Sequence, residues 1–265
     1  MSVISVSSLS IYPLKSAREI NLAHSEVEAF GLKNDRRWMV VDDQGVMLTQ
    51  RKLPRLCLIQ PVLTEHGLLL SYTDKTSIEV KIPDSSVKRP VKVWDDLCHA
   101  YDAGDQVALW LENKLETSCR LVYFPADEFR QVDLNYANRG DKTAFSDGFP
   151  LLLISQASLD DLNQRLDKPV AMNRFRPNIV VQGCEPFAED DWHKIRIGKI
   201  IYRIVKPCSR CVIPSINTET AEKEAGLLEK LAEFRRRDNK IFFGQNVIAE
   251  TTGFIETGMM VEVIE

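Results

Sequence analysis

The chain has 265 residues, 44% hydrophobic and 27% charged, with a formal net charge of -4 and a pI near 5.7. That length suits two ordinary domains or one large β-rich unit, and the mild acidity leaves no electrostatic footprint for general nucleic-acid binding. No run approaches the ~18 apolar residues of a membrane span, and Met1-Ser2-Val3-Ile4-Ser5-Val6 lacks a basic start followed by a long apolar core. Six cysteines (Cys57, Cys98, Cys119, Cys184, Cys208, Cys211) are spread thinly, unlike a secreted disulfide framework. Together these features predict a soluble cytoplasmic protein in a reducing compartment, with neither nucleic acid nor membrane as partner.

The first hundred residues read as strands and turns. Val3 to Ile11 alternates with serines, Arg37 to Val41 and Val46 to Gln50 flank the turn Asp42-Asp43-Gln44-Gly45, and Leu68 to Tyr72 pairs with Ile78 to Ile82. Val107, Leu111 and Leu115 recur every four residues, which predicts a helix over Asp105 to Glu116, and a short strand follows at Arg120 to Phe124. Pro125 to Gly140 is polar and irregular, as expected of a linker, so the division predicted is 1–125 and 126–265. Phe149 to Ile154 suits a strand buried on both faces. Ser158 and Asp161 have capping-box spacing before the apolar face Leu159, Leu162, Leu166. Strand patterns return at Asn178 to Gln182 and Lys194 to Val205, and Leu227, Leu228, Leu231 and Phe234 predict a helix. Its end, Arg235-Arg236-Arg237, reads as a solvated cap that favours the helix C-terminus. Met259 to Ile264 closes the chain as a strand. The fold class is therefore α+β and predominantly β, without internal repeats.

The most informative segment is Lys206-Pro207-Cys208-Ser209-Arg210-Cys211-Val212. An adjacent guanidinium favours the thiolate, the form that binds soft metals or attacks electrophiles. Pro207 cannot donate to a ladder and Pro214 stops a helix, which predicts a rigid loop at a sheet edge. The alternative is a buried cysteine that only fills space. Four other stretches place donors beside turn residues: Tyr12-Pro13-Leu14-Lys15-Ser16, Asp35-Arg36-Arg37-Trp38, Asn173 to Asn178, and Ser209-Arg210. Asp35 has the reach to hold Arg36 or Arg37. Arg176, fixed before Pro177, offers a planar fork suited to phosphate. Asp147 either accepts hydrogen bonds from an amino-substituted heterocycle or simply forms the turn Asp147-Gly148.

In order along the chain, Tyr12-Pro13-Leu14-Lys15-Ser16, Asp35-Arg36-Arg37-Trp38, Leu48-Thr49-Gln50-Arg51, Ser155-Gln156-Ala157-Ser158-Leu159, Phe175-Arg176-Pro177-Asn178-Ile179, Ala188-Glu189-Asp190-Asp191-Trp192, Cys208-Ser209-Arg210-Cys211 and Phe243-Gly244-Gln245-Asn246 resemble the molybdenum cofactor sulfurase C-terminal (MOSC) domain family. The similarity is to the branch of the mitochondrial amidoxime reducing component and its bacterial relatives, and it spans nearly the whole chain.

That resemblance implies a β-rich N-terminal MOSC domain with barrel character (1–125) joined to the β-barrel-like MOSC domain proper (126–265), with a molybdopterin-type molybdenum cofactor held between them. By the same resemblance Cys211 is the catalytic cysteine and the molybdenum ligand. Lys15, Ser16, Arg36, Asp147, Arg176, Asn178, Ser209 and Arg210 are the cofactor-binding set, whereas Arg174 matches no family ligand and stays a surface candidate. The activity implied is reduction of small N-hydroxylated compounds (hydroxylamines, amidoximes, N-hydroxylated bases) to amines. The alternative is a cofactor-binding or sulfur-carrying protein without turnover. The run after Cys211, Val212-Ile213-Pro214-Ser215, departs from the Thr-Thr pair usual in relatives and bears on substrate scope. The iron-sulfur cysteines of many bacterial relatives are absent after Cys211, so electrons are expected from a separate donor protein, whether ferredoxin-like, a flavin reductase or a cytochrome. A zinc site using Cys208, Cys211, Cys184 and His193 is a further alternative, and no histidine is singled out as a general acid.

Overall fold

The computed structural model describes residues 3–84 and 87–265, so Met1 and Ser2 of the N-terminal run read above lie outside the described residues. A nine-stranded sheet dominates. Its strands run in the order Val261–Val263, Lys194–Ile197, Ile200–Ser209, Lys240–Ala249, Leu151–Ser155, Ile179–Gln182, Ser5–Ile11 and Ile20–Leu22, with Arg236–Arg237 added beside Lys240–Ala249. All neighbours are antiparallel except Leu151–Ser155 and Ile179–Gln182, which are parallel and joined by a crossover containing the helix Gln156–Arg165. Three smaller sheets complete the strand content. Trp38–Val41, Arg120–Tyr123, Asp96–Asp102 and Arg89–Val93 form one; Gly253–Glu256, His24–Glu28 and Gly31–Leu32 another; and Gln60–Thr64, Gly67–Ser71 and Ser77–Lys81 the third. The chain is thus α+β and mostly β, as its patterning predicts. No helix among the described residues is long and apolar enough to cross a membrane.

Alternation explains how the large sheet is clad. In Leu151–Ser155 every residue is buried; Leu153 joins the cluster holding Leu9, Ile179, Tyr202 and Val247, whereas Leu152 and Ile154 face the cluster of Leu159, Leu162, Phe175, Leu231 and Phe243. Each such side chain removed from water contributes about 1.5–3 kcal/mol. The expected helix over Asp105–Leu115 forms, with Val107, Leu111 and Leu115 all buried against Leu56, Leu70 and Leu121. Gly244 interrupts the central strand Lys240–Ala249 at φ +76, where a Cβ would lie 2.5 Å from Ile154 Cγ1, so only glycine lets the two strands approach here.

Several local expectations are corrected. The helix after Leu151–Ser155 starts at Gln156, because Ser155 and not Ser158 is the cap: its Oγ accepts from Ser158 N at 3.1 Å, and Asp161 pairs forward with Arg165. Val46–Gln50 forms no full strand, but it meets the open side of Trp38–Val41 across the turn through the Val41–Met47 bridge, with Leu48 N donating to Val40 O at 2.8 Å. Pro125 to Gly140 is irregular but anchored, with Arg130 only 5% exposed and donating to the carbonyls of Ala144, Ser146 and Asp147. Arg235 is no solvated cap: it pairs with Asp190 at 2.6 Å over the Phe187 ring, and Arg236–Arg237 turn into strand pairing with Lys240–Ala249.

The largest correction concerns the loop expected over Cys208 to Ile213: Cys208 and Ser209 instead end the strand Ile200–Ser209, which is paired there on one side only, by Lys240–Ala249, because Lys194–Ile197 reaches no further than Arg203, so Pro207 does lie at a sheet edge. Pro207 lies opposite Gln245, and the register slips between Ile204 and Lys206 and again between Pro207 and Ser209. An unpaired strand side and a bulged ladder are both places where a missing N–H donor is tolerated, and Pro207 has both.

Candidate functional site

Just beyond the end of that strand, one cavity is lined by every site residue named from the sequence: Lys15, Ser16, Arg36, Asp147, Arg176, Asn178, Ser209, Arg210 and Cys211. Backbone pairing brings the distant segments together. Lys15 N donates to Trp38 O at 2.8 Å and Trp38 N to Pro13 O at 2.9 Å, which sets the Lys15 and Arg36 segments side by side. Asn178 then ties them to the sheet, its Oδ1 accepting from Arg36 Nη1 at 2.8 Å and Leu152 N at 3.2 Å while its Nδ2 donates to Ser10 O at 3.1 Å. With those bonds made, Asn178 shapes the wall by holding Arg36.

Ser16, Arg36 and Arg176 have φ of 71°, 46° and 59°. Non-glycine residues in this left-handed region are uncommon and each costs about 1–2 kcal/mol, so three in one wall mark a place where the fold over-determines the backbone. For Arg176 the cost is compounded by Pro177, which disfavours helical backbone before it. Tyr12 lies between two of them, with the Arg36 guanidinium 4.4 Å and the Arg176 guanidinium 4.1 Å from its ring centre. Of the two arginines within reach of Asp35, Arg36 is the one it holds; Arg37 turns away to Phe124 O.

The wall is strongly cationic. Lys15, Arg36, Arg51, Arg174, Arg176 and Arg210 line it, against the single carboxylate of Asp147. Lys15 is 5% exposed, and its Nζ donates to Phe145 O and Asp147 Oδ1, both at 2.6 Å. Burial pulls Lys15 down to about 8 against the opposing pull of Asp147. Burial would raise Asp147, but Lys15 first, then Arg51 and Arg36, outweigh it and hold the carboxylate well below its usual range. Four of the guanidiniums each keep one buried nitrogen without a hydrogen-bond partner: Arg51 Nη1, Arg174 Nη2, Arg176 Nη2 and Arg210 Nη2. Buried donors left unsatisfied are costly, and four around one cavity call for a ligand rich in acceptors and negative charge.

Cys211 Sγ accepts from Arg51 Nη2 at 3.2 Å, and the same nitrogen lies 3.4 Å from Asp147 Oδ2. Its neighbour Cys208 packs against the apolar cluster around Phe243, and burial pushes its thiol up. Both cysteines line the cavity, but Cys211 meets a cation there while Cys208 packs largely against apolar side chains. Among the described residues, no group of three or more His, Cys, Asp or Glu side chains is placed to hold a metal ion, which removes the zinc alternative. All four histidines are exposed.

Two residues escaped the sequence reading. Arg51 belongs to a quoted motif but received no role; nothing in the run Leu48-Thr49-Gln50-Arg51 tells that its guanidinium crosses to residue 211. Arg174, expected at the surface, is 7% exposed, with Nε on Pro214 O at 2.7 Å and Nη1 on Glu224 at 2.8 Å. Its position in the short turn Met172–Arg174 points it inward, and one residue of spacing from Arg176 does not reveal that.

Comparison with known proteins gives the family. Residues 3–118 match the MOSC N-terminal beta barrel domain and residues 140–262 the MOSC domain. Mitochondrial amidoxime-reducing component 1 of Xenopus laevis is 34% identical over 96% of this chain and 80% of its own length. The human protein of the same name is 35% identical over 96% and 81%, and mitochondrial amidoxime reducing component 2 of Rattus norvegicus 34% over 96% and 81%. The chain belongs to the MOSC-domain family, in the branch of the amidoxime-reducing components.

Proposed function

We propose that this protein is a molybdenum-cofactor-dependent reductase that converts N-hydroxylated compounds to amines with electrons from a separate donor protein. The observation that carries this reading is the set of four unsatisfied guanidinium nitrogens around a cavity that also presents the Cys211 thiol. A molybdopterin-type cofactor would suit this lining: its phosphate would meet the free nitrogen of Arg176 with Lys15 and Arg36 adding positive charge, its heterocycle carries acceptors and amino groups, and its metal would take one protein sulfur. Arg210 and Ser209 flank Cys211 and would help hold the metal end, and Asp147 would accept from amino groups. Ser16 lends its wall of the cavity.

When bound, the cofactor would supply the two-electron change that cleaving an N–O bond requires. The chain's part is to hold, orient and exclude. The overall conversion takes up two electrons and two protons and yields amine and water. Asp147, kept ionised by Lys15, is a poor proton source, and no histidine lines the cavity, so the protons are assigned to solvent entering the open mouth. Arg51 Nη2 donates to the Cys211 sulfur at 3.2 Å and so orients it at the cavity wall, where it would be available as a metal ligand.

Purified protein loaded with molybdenum cofactor, given a chemical reductant and benzamidoxime, is expected to release benzamidine. Bound molybdenum with no amine product would overturn the reductase reading and favour a sulfur-carrying role.

Lys15 adds a pH dependence. Its value near 8 lies below the usual 10.5, so the ammonium that an anionic ligand needs is present below pH 8 and lost above it. Anion binding restores the charged form and raises this value, so affinity stays level up to about pH 8 and then falls by at most about tenfold per pH unit. Cofactor retention on gel filtration from pH 6.5 to 9.5 measures this. Lys15→Arg, which stays charged throughout, should flatten the profile, and an equally steep fall in that variant would remove Lys15 as the cause.

A further inference from the structure

Arg51 orients the Cys211 sulfur, but its surroundings are built for more than orientation. Two groups hold its guanidinium in place: the Trp94 ring centre lies 4.4 Å from it, and Asp147 Oδ2 lies 3.4 Å from Nη2, the same nitrogen that donates to Cys211 Sγ at 3.2 Å. Trp94 occupies the two-residue turn between Arg89–Val93 and Asp96–Asp102 at φ 58°, a left-handed conformation that is costly for a bulky aromatic. The hairpin is pinned beside the arginine, with Met47 N donating to Lys92 O at 3.0 Å and Lys92 N to Gly45 O at 2.8 Å. The Arg51 side chain is 24% exposed, so solvent screens its charge only in part. Asp147 does not cancel that charge, because its other oxygen already pairs with Lys15 Nζ at 2.6 Å; Lys15, Asp147 and Arg51 together leave a net positive charge beside the sulfur.

We propose that Arg51 is a positioning residue that sets the redox balance of the site: through its charged N–H bond to the Cys211 sulfur it favours the electron-rich state of the metal that this sulfur holds, and so raises the reduction potential. This rests on the reading of Cys211 as the protein ligand of a molybdenum cofactor. When a thiolate-bound metal gains an electron, part of the added negative charge falls on the sulfur, and a cationic donor aimed at that sulfur stabilises the reduced state more than the oxidised one. A neutral donor does this weakly, and a mobile one does it only part of the time, which gives the indole and the carboxylate around Arg51 a reason to fix it. The consequence for the reaction is a trade. A higher potential lets a mild donor protein charge the site, while leaving less driving force for cleaving the N–O bond.

The test is a redox titration of the holoprotein, followed by the electron paramagnetic resonance signal of Mo(V). Only loaded molecules give that signal, so incomplete occupancy of a variant does not mask a shift. At a fixed ambient potential, Arg51→Gln, which keeps a donor without the charge, is expected to lower the ratio of reduced to oxidised metal about tenfold, equivalent to about 59 mV for a one-electron step. Arg51→Lys keeps the charge and should recover at least half of that shift. Turnover should split in the same sense: benzamidoxime reduction driven by reduced flavin mononucleotide, a mild donor, falls in Arg51→Gln, whereas reduction driven by dithionite, a strong one, is held. A merely structural role would lower both rates alike. A ratio unmoved in Arg51→Gln, or moved equally in Arg51→Lys, overturns the proposal, as does complete loss of molybdenum from both variants, which would make Arg51 a holder of the cofactor instead. Wild-type protein that takes up no molybdenum overturns the cofactor reading and this inference with it, whereas a loaded wild type with an unmoved ratio in Arg51→Gln removes the redox role alone.

Discussion

Cys211→Ala is expected to lose essentially all bound molybdenum and all amidoxime reduction while the melting temperature stays within about 2 °C of the wild type. The sulfur lies just past the strand Ile200–Ser209 and makes a single polar contact, with Arg51, which Asp147 still accompanies after the change. Nothing apolar depends on it. Cys208→Ala should show the reverse pattern: metal and activity largely retained, with a stability loss of about 1 kcal/mol, because its sulfur belongs to the packing around Leu152, Phe175 and Phe243. Elemental analysis beside a thermal melt separates the two, and equal metal loss in both variants would contradict the assignment of Cys211 as ligand.

Arg176→Ala is expected to weaken cofactor retention by about 1.5–3 kcal/mol, roughly 10- to 150-fold, the range for a hydrogen bond to a charged group. Its Nη1 is already committed to Ala17 O at 2.7 Å and its planar face to Tyr12, so the guanidinium is held in place before any ligand arrives, with Nη2 left over for it. Such a preorganised fork loses little freedom on binding, which is why Arg176→Lys should recover only part of the loss. The folded state itself should change little, since the substitution also relieves the repulsion between Arg176 and Arg36 across the Tyr12 ring. Dialysis of the loaded variant against buffer, followed by molybdenum determination, measures the effect; unchanged occupancy would remove Arg176 from the site.

Much of this arrangement is legible in the residues themselves. The buried run at Leu151 to Ile154, the helix bearing Val107, Leu111 and Leu115, and the hairpin around Leu68 and Ile78 follow from spacing, because each is decided by which face meets apolar neighbours. The cationic motifs at Lys15, Arg36 and Arg176 are visible as donors beside turns, and the family resemblance puts them in one place. What stays hidden is long-range. Arg51 meets Cys211 across 160 positions, and Asp147 owes its orientation to Arg130, whose role no local pattern announces. Lys240–Ala249 passes unnoticed as a strand because its central stretch, Phe243 to Asn246, mixes glycine and amides with apolar residues; its identity comes from neighbours on both sides. Pro207 marks the sheet edge as its chemistry requires, but the strand runs two residues past it to Ser209, which no local pattern shows.

The register slips along Ile200–Ser209 set how this chain tolerates change. Each extra residue in a bulged strand advances the in-and-out alternation by one step; the slip between Ile204 and Lys206 puts the extra residue on this strand and the slip between Pro207 and Ser209 puts it on Lys240–Ala249, so this strand is advanced by a single step between the core-facing rhythm of Ile200 to Ile204 and the cavity-facing rhythm that ends near Cys211. Point substitutions along this segment leave the phase alone. A single-residue deletion between positions 204 and 209 would invert it, turning the thiol of position 211 out of register with the arginines around it even if every side chain were kept. For descendants of this sequence, length across these few residues is therefore under tighter constraint than composition.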